Sequence, residues 1–390
     1  MNKMRNVYLM YIIVFLQGFV FYGPVATLFR QARGLSMSEI FIIESISWGL
    51  IILMEVPWGW ISDRVGYKKT LIVVNGLFFI SKIVFYMAFS FKVFLLERLI
   101  LSVVMAGLSG CDTALIYGSI DKEDTQKVFG RYHACMTVGF LVASIASTFI
   151  VQVSIESTAF YTIIPYGLAA VLTLFLKEVT TTSEKKVSIL RTAKEAFVDK
   201  SIILFVLAIA LVVEVVQAIT VFLNQAQYLK SGIDPKYFGL IIAFIQVARL
   251  ISVKANVISK RLGNIRTITV FMVSIVIGVV LLILTANPVI SVGCIVLLSV
   301  SISIIGPIEV DIKNQCISAH ERATILSIYS MLGGLIGSLG NIVIGKMADY
   351  SLGFGFAACL VMSVLAILLL KLYEKSSSNQ GVKDLIVQSK

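Results

Sequence analysis

Long apolar runs separated by short polar breaks recur along the whole chain. A helix needs ~20 mostly apolar residues to cross a hydrocarbon core. Runs of that kind near 6–29, 38–61, 70–90, 93–117, 129–153, 158–176, 202–228, 236–257, 266–286, 289–311, 323–348 and 351–371 predict twelve transmembrane helices. Numbered in that order, spans 1–12 leave one long polar interruption, residues 177–200, and a polar tail, 373–390.

Composition agrees. Of the 390 residues 58% are hydrophobic and only 14% charged, with mean hydropathy +0.94; a soluble domain carries roughly 25% charged residues. A net charge of +11 in a soluble chain would suggest a polyanion partner. Here the basic residues gather in alternate loops, so they report topology and not nucleic-acid binding. The loops at 62–69, 177–200 and 254–266, together with Lys3, Arg5, Lys371 and Lys375, fall on one side. Arg30, Arg33, Lys92, Lys230 and Lys236 fall on the other. Both termini are therefore expected in the cytoplasm, with the protein in the plasma membrane. Lys3 and Arg5 precede an apolar run with no small-residue cleavage site, which reads as a first span and not a removed signal. Cys111, Cys135, Cys294, Cys316 and Cys359 have no metal or redox spacing and read as packing residues, and His133 and His320 form no cluster with them. No metal or other cofactor is expected, and no G-x4-G-K-[ST] stretch for ATP occurs.

In 177–200, Val187, Leu190, Ala193 and Phe197 recur at helical spacing among Lys186, Arg191 and Lys194. This fits either a short helix on the inner leaflet or a solvated linker. The halves on either side repeat. In NVISKRLGNIRT, Ile258, Ser259, Arg261, Gly263 and Thr267 match Ile61, Ser62, Arg64, Gly66 and Thr70 of GWISDRVGYKKT, while Lys260 replaces Asp63. The same register pairs Asp112 with Glu309. The predicted fold is thus all-α, with twelve helices in two pseudo-symmetric six-helix bundles, 1–176 and 201–372. Duplicated transporter folds bind substrate near the midplane between such halves.

GWISDRVGYKKT is a charged turn between spans 2 and 3. It resembles the loop between helices two and three of the major facilitator superfamily, G-x-L-a-D-R-x-G-R-K-x-x-L, at Gly59, Asp63, Arg64, Gly66, Lys68, Lys69 and Leu71. The run from Glu55 to Arg64, E-V-P-x-G-x-x-x-D-R, resembles that of many efflux proteins of the superfamily, the drug:proton antiporter branch. Antiporters of that kind carry G-x8-G-x3-G-P-x2-G-G on span 5, where this chain has Gly130, Gly139, Ala143, Ser144, Ser147 and Thr148. The small size is kept and the proline lost. The resemblance implies that spans 1, 4, 7 and 10 line a central cavity, that spans 3, 6, 9 and 12 lie outermost, and that the Asp63 loop works the gate.

Ionisable residues inside hydrocarbon are costly and mark pathways or coupling sites. The candidates are Glu44 and Glu55 (span 2), Lys82 (span 3), Asp112 (span 4), Glu214 (span 7), Arg249 (span 8) and Glu309 (span 10). Asp112, Glu214 and Glu309 fall on helices the resemblance makes cavity helices and are the proton-coupling candidates. Helical spacing puts Ser102, Met105, Ser109 and Asp112 on one face, and Glu214, Gln217, Gln225 and Tyr228 on another. Tyr8, Tyr11, Phe15, Phe19 and Tyr22 form an aromatic stripe on span 1, broken by Gln17 and Gly18. Gln17, Tyr22, Ser109, Gln217, Gln225 and Arg249 are the substrate-cavity candidates. Glu97 and Arg98 are expected to snorkel from the outer end of span 4, Lys82 to pair with span 2, Glu55 to share a face with Glu44, and Arg249 to serve as counter-ion to one of the acids. Glycines 333, 334, 337, 340 and 345 suit span 11 for close packing.

These features predict a monomeric secondary transporter, not an enzyme, whose partners are a small molecule, protons and the bilayer. Proton-coupled efflux of amphiphilic or cationic molecules is the leading expectation. The rivals are a proton symporter importing a solute, a lipid or metabolite exporter, and, from another class, a receptor that has lost transport.

Overall fold

Why a chain this apolar forms long helices follows from its solvent: inside a bilayer the backbone polar groups of a helix are satisfied within the segment. The computed structural model describes residues 2–120, 125–179, 200–315 and 322–388, and no strand occurs among them. Eleven helices there are long and apolar enough to cross a membrane, and a shorter apolar helix, Met4–Gln17, belongs to span 1.

Span 1 is not continuous. It runs as Asn2–Gln17, an irregular turn, and Ala26–Ala32. Spans 2 and 3 are Met37–Val65 and Tyr67–Met87, span 4 is Phe91–Leu108 continued by Cys111–Tyr117, and spans 5 and 6 are Thr125–Ile150 and Ile155–Thr173. Span 7 joins Lys200–Gln217 to Asn224–Lys230 through a π-helical turn, Ala218–Leu223. Span 8 covers Phe238–Arg249 and Ala255–Leu262 with a 3-10 segment between, and spans 9, 10 and 11 are Asn264–Leu284, Pro288–Gln315 and Arg322–Tyr350. Span 12, Leu352–Gln388, stays helical through most of the segment the sequence reads as a polar tail. The possible linker helix falls on residues 180–199, outside the described residues, as do Cys316 and His320.

The chain packs as two compact units, Met1–Glu184 with Ile233–Phe244, and Lys185–Gly232 with Ile245–Lys390. The start of span 8 thus belongs with the first unit. In the first unit span 1 packs on spans 5 and 6, span 2 on span 4, and span 3 on spans 4 and 6. In the second, span 7 packs on 11 and 12, span 8 on 10, and span 9 on 10 and 12. The two sets of pairings are the same after a shift of six helices, so the sequence repeat is also a packing repeat.

The repeated loops match in detail. Gly66 has φ 97° and ψ 149°, and Gly263 has φ 88° and ψ 150°. The N–H of Gly66 donates to the Ser62 carbonyl and that of Gly263 to the Ser259 carbonyl. Thr70 and Thr267 return their hydroxyls to the carbonyls of Gly66 and Gly263, at 2.9 and 2.8 Å. This backbone region is essentially open to glycine alone and costs another residue about 1–3 kcal/mol. At Gly66 a Cβ would also lie 2.6 Å from Glu178 Oε2, whereas the space around Gly263 is open. The exposed Glu178 side chain can swing aside, so the shared backbone strain dominates, and Gly66→Ala and Gly263→Ala should both lower the thermal midpoint of detergent-purified protein by similar amounts. Negligible shifts would contradict this account of the loops.

Small residues on span 5 permit backbone contact where expected. A Cβ on Gly139 would strike the Phe15 carbonyl, and one on Gly18 would lie 2.7 Å from the Met136 carbonyl. Gly239 at the start of span 8 makes room for the Ser144 carbonyl and the Thr148 hydroxyl in the same way. Gly130 faces open space.

Candidate functional site

The breaks in spans 1 and 4 meet at one cavity. After Gln17 the helix opens, and its free groups are taken up by span 6: Tyr166 donates its hydroxyl to the Gln17 carbonyl at 2.6 Å, and the Phe21 N–H donates to Thr162 Oγ1 at 3.1 Å. Gln17 Nε2 donates to Asn75 Oδ1 at 2.6 Å. Span 4 opens at Ser109, next to Gly110 with φ 86°. Irregular backbone at membrane depth is tolerated where it is buried in protein or lines a cavity. A cavity of about 370 Å³ lies there, lined among others by Gln17, Gly18, Phe78, Ser109, Asp112, Tyr132, His133, Phe140 and Tyr166. Its size is that of a small-molecule site.

Three residues expected at a substrate or coupling site, Gln17, Ser109 and Asp112, are brought together here. Asp112 accepts from the Tyr132 hydroxyl at 2.8 Å and from the Thr113 N–H at 2.6 Å. A carboxylate has about four acceptor positions, so it keeps capacity for a ligand or a proton. Of the expected stripe, Met105, Ser109 and Asp112 all line this cavity across the break at Gly110, and only Ser102 lies away from it. Ser102 is buried and hydrogen-bonded to Ser47 of span 2 at 2.7 Å.

Tyr22 is not among the lining residues of this cavity. The irregular turn swings it inward, stacked on Phe85 with centroids 4.1 Å apart. It accepts a hydrogen bond from Lys82 Nζ at 3.0 Å. The partner of Lys82 therefore comes from span 1 and not span 2. Of the span 1 aromatics, Phe15 and Phe19 line a separate, almost wholly apolar groove between spans 1, 5 and 6.

A charge cluster that periodicity misassigned lies elsewhere in the first unit. Glu97 does not snorkel: it is 1% exposed, with Oε2 lacking a hydrogen-bond partner. Arg98 pairs with Glu44 at 2.5 Å. Arg30, also buried, interacts electrostatically with Glu97, Arg98 and Glu44. Two acids and two guanidiniums thus balance inside the bundle. Arg98, not Arg249, is the counter-ion to Glu44. Glu55 is exposed, so it does not share the buried environment of Glu44.

In the second unit a cavity of about 270 Å³ is lined by Val213, Val216, Gln217, Thr220, Val221, Arg249, Ser299 and Ile302. The π-helical turn of span 7 forms part of its wall, a feature frequent at functional sites. Arg249 hydrogen-bonds Gln246 at 3.4 Å, and among the described residues no acid lies within ion-pair distance of it. The π turn also breaks the predicted face of span 7. Glu214 is buried against span 11, where Gly337 and Gly340 leave room for its side chain. Gln225 and Tyr228 are buried too, and only Gln217 reaches the cavity. Glu309 forms an ion pair with Lys313, one turn along its own helix. In the Asp63 loop, Arg64 stacks its guanidinium on Trp60 at 4.0 Å, and the Lys68 N–H donates to Glu178 at 3.2 Å. Among the described residues no group of side chains could hold a metal ion.

Two repeated units of six spans, with helices interrupted at a cavity, define a multi-pass membrane protein built on a duplicated transporter plan. The chain belongs to the Major Facilitator Superfamily, which it matches over residues 7–341. It is accordingly a membrane transporter. No curated protein matches it by sequence. Solved structures of similar fold include the nucleoside transporter NupG, with TM-score 0.77 and 16% identity over 96% of this chain and 99% of that one. A bacterial homolog of the human lysosomal transporter Spinster, inward-facing and unoccupied, gives TM-score 0.74 and 15% identity over 96% of each chain. A POT family transporter in complex with 5-aminolevulinic acid gives 0.74 and 13%, again over 96% of each chain. At these identities the likeness is one of fold.

Proposed function

We propose that the protein is a proton-coupled secondary transporter of the plasma membrane. It acts as a monomer with cytoplasmic termini and exports amphiphilic or cationic small molecules by alternating access. The supporting observation is the cavity at the breaks of spans 1 and 4, which sets one carboxylate, Asp112, among the rings of Phe78, Tyr132, His133, Phe140 and Tyr166. The carboxylate supplies the charge, Tyr132 and Phe140 supply cation–π attraction, and Phe78 and Tyr166 supply apolar area. Asp112 takes the proton in this reading. Glu309, already paired with Lys313, and Glu214, packed into span 11, do not exchange a proton with the substrate in this reading. Glu55 and the Asp63 loop serve the gate.

A second reading is import of a polar solute with protons. It draws on the second-unit cavity, where Gln217, Thr220, Arg249 and Ser299 supply polar groups, and on the fold likeness to a nucleoside transporter. The two separate in reconstituted vesicles with an imposed pH gradient. Export predicts that a lipophilic cation moves against proton flow while nucleosides stay put. Proton-driven movement of a nucleoside, without cation transport, would replace the first reading with the second.

A further inference from the structure

Lys82 has no role in the proposed cycle, yet it is one of the most costly residues in the first unit. Its side chain is 3% exposed. Among the described residues no carboxylate lies within ion-pair distance. Its ammonium is held by the Tyr22 hydroxyl at 3.0 Å and by three ring faces, with Nζ 4.8 Å from the centroid of Phe78, 4.9 Å from Tyr166 and 5.5 Å from Tyr22. Phe78 and Tyr166 also wall the Asp112 cavity. The cation therefore stands directly behind two of the rings that a ligand would meet.

Position along the helices completes the argument. Lys82 lies near the Met87 end of span 3, and Asp112 near the Tyr117 end of span 4. A short turn joins Met87 to Phe91, so those two ends point to opposite faces of the bundle. The cavity has a negative group toward one end and a buried positive group behind its wall toward the other. Phe78 and Tyr166 already spend their quadrupoles on Lys82 and have less to offer a second cation.

We infer that Lys82 makes this cavity dipolar and is a specificity-determining residue: the site takes amphiphiles with a single positive charge, held at Asp112 with the apolar part toward Phe78 and Tyr166, and rejects dications. The inference rests on the proposed reading that cations bind at Asp112. At an effective dielectric near 20, a like charge roughly 10 Å away is disfavoured by about tenfold. Lys82 should impose a penalty of that order on the second charge of a dication.

The test is equilibrium binding to the full-length protein in nanodiscs, using tetraphenylphosphonium and a bis-quaternary ammonium of similar apolar area. The wild type should prefer the monocation. In Lys82→Met the monocation-to-dication affinity ratio should fall by about tenfold, while Lys82→Arg, which keeps the charge, should keep the ratio high. Lys82→Gln, which retains a donor for Tyr22, gives the same readout if the methionine variant folds poorly. A ratio unmoved by either uncharged variant, with monocation binding still lost in Asp112→Asn, would overturn the role of Lys82 alone. Monocation binding that is absent, or indifferent to Asp112→Asn, would overturn the cation reading and this inference with it.

Discussion

Arg98→Met should unfold the detergent-purified protein on the order of 5–15 °C below the wild type. Arg98 is the only ion-pair partner of Glu44 among the described residues, and Glu44 is almost fully buried. Removing one member of a buried pair leaves an uncompensated charge and costs about 3–5 kcal/mol. Replacing both members with apolar residues removes the penalty together with the attraction and is often neutral or better. The double variant Glu44→Met/Arg98→Met should therefore recover most of the loss. Arg30 and Glu97 stay behind as a balanced couple. The buried thiols of Cys111, Cys294 and Cys359 give a convenient readout, since a thiol-reactive dye reports their exposure as the helices come apart. A double variant no more stable than Arg98→Met would show that the pair does not act as a unit.

The second large effect concerns Asp112. Asp112→Asn keeps the size of the side chain and an oxygen to accept from Tyr132, so the fold should be little disturbed. It removes the negative charge of the first-unit cavity. Truncating one side of a buried, hydrogen-bonded charge pair costs about 2–5 kcal/mol, so affinity for a lipophilic cation should fall by roughly 30-fold or more. Transport driven by a pH gradient should be lost, because the same substitution removes the proton acceptor. Glu309→Gln should do much less, since Glu309 already has Lys313 as a local partner.

Much of this was legible in the sequence, and the reasons for the rest are physical. Span lengths follow from bilayer thickness. The Ser62–Thr70 and Ser259–Thr267 repeats carry their geometry in their residues: a glycine that alone can take the turn, and a threonine that caps it. Gln17, Ser109 and Asp112 were identifiable because polar groups in hydrocarbon are rare. Helical spacing failed where helices stop being regular. The π turn at Ala218–Leu223 parts Gln217, which reaches a cavity, from Gln225 and Tyr228, which are buried, and nothing in its composition announces it. Tyr22 and Arg30 follow the opening of span 1: Tyr22 leaves the aromatic stripe that periodicity gives it, and Arg30, expected in an outer loop, is buried. Glu97 and Arg98 look like snorkelling residues when span 4 is taken alone. They are buried because Arg30 and Glu44 arrive from other spans to neutralise them.

The central claim is that a cationic substrate and a proton compete for the Asp112 carboxylate. By linkage, if one ligand displaces the other, binding of the first must expel the second. The direct measurement is proton release into weakly buffered solution when a saturating lipophilic cation is added to the purified protein. The wild type should release protons on binding, and Asp112→Asn, at a concentration that still saturates it, should release none. Equal release from both proteins would place the exchanging proton elsewhere and contradict the account.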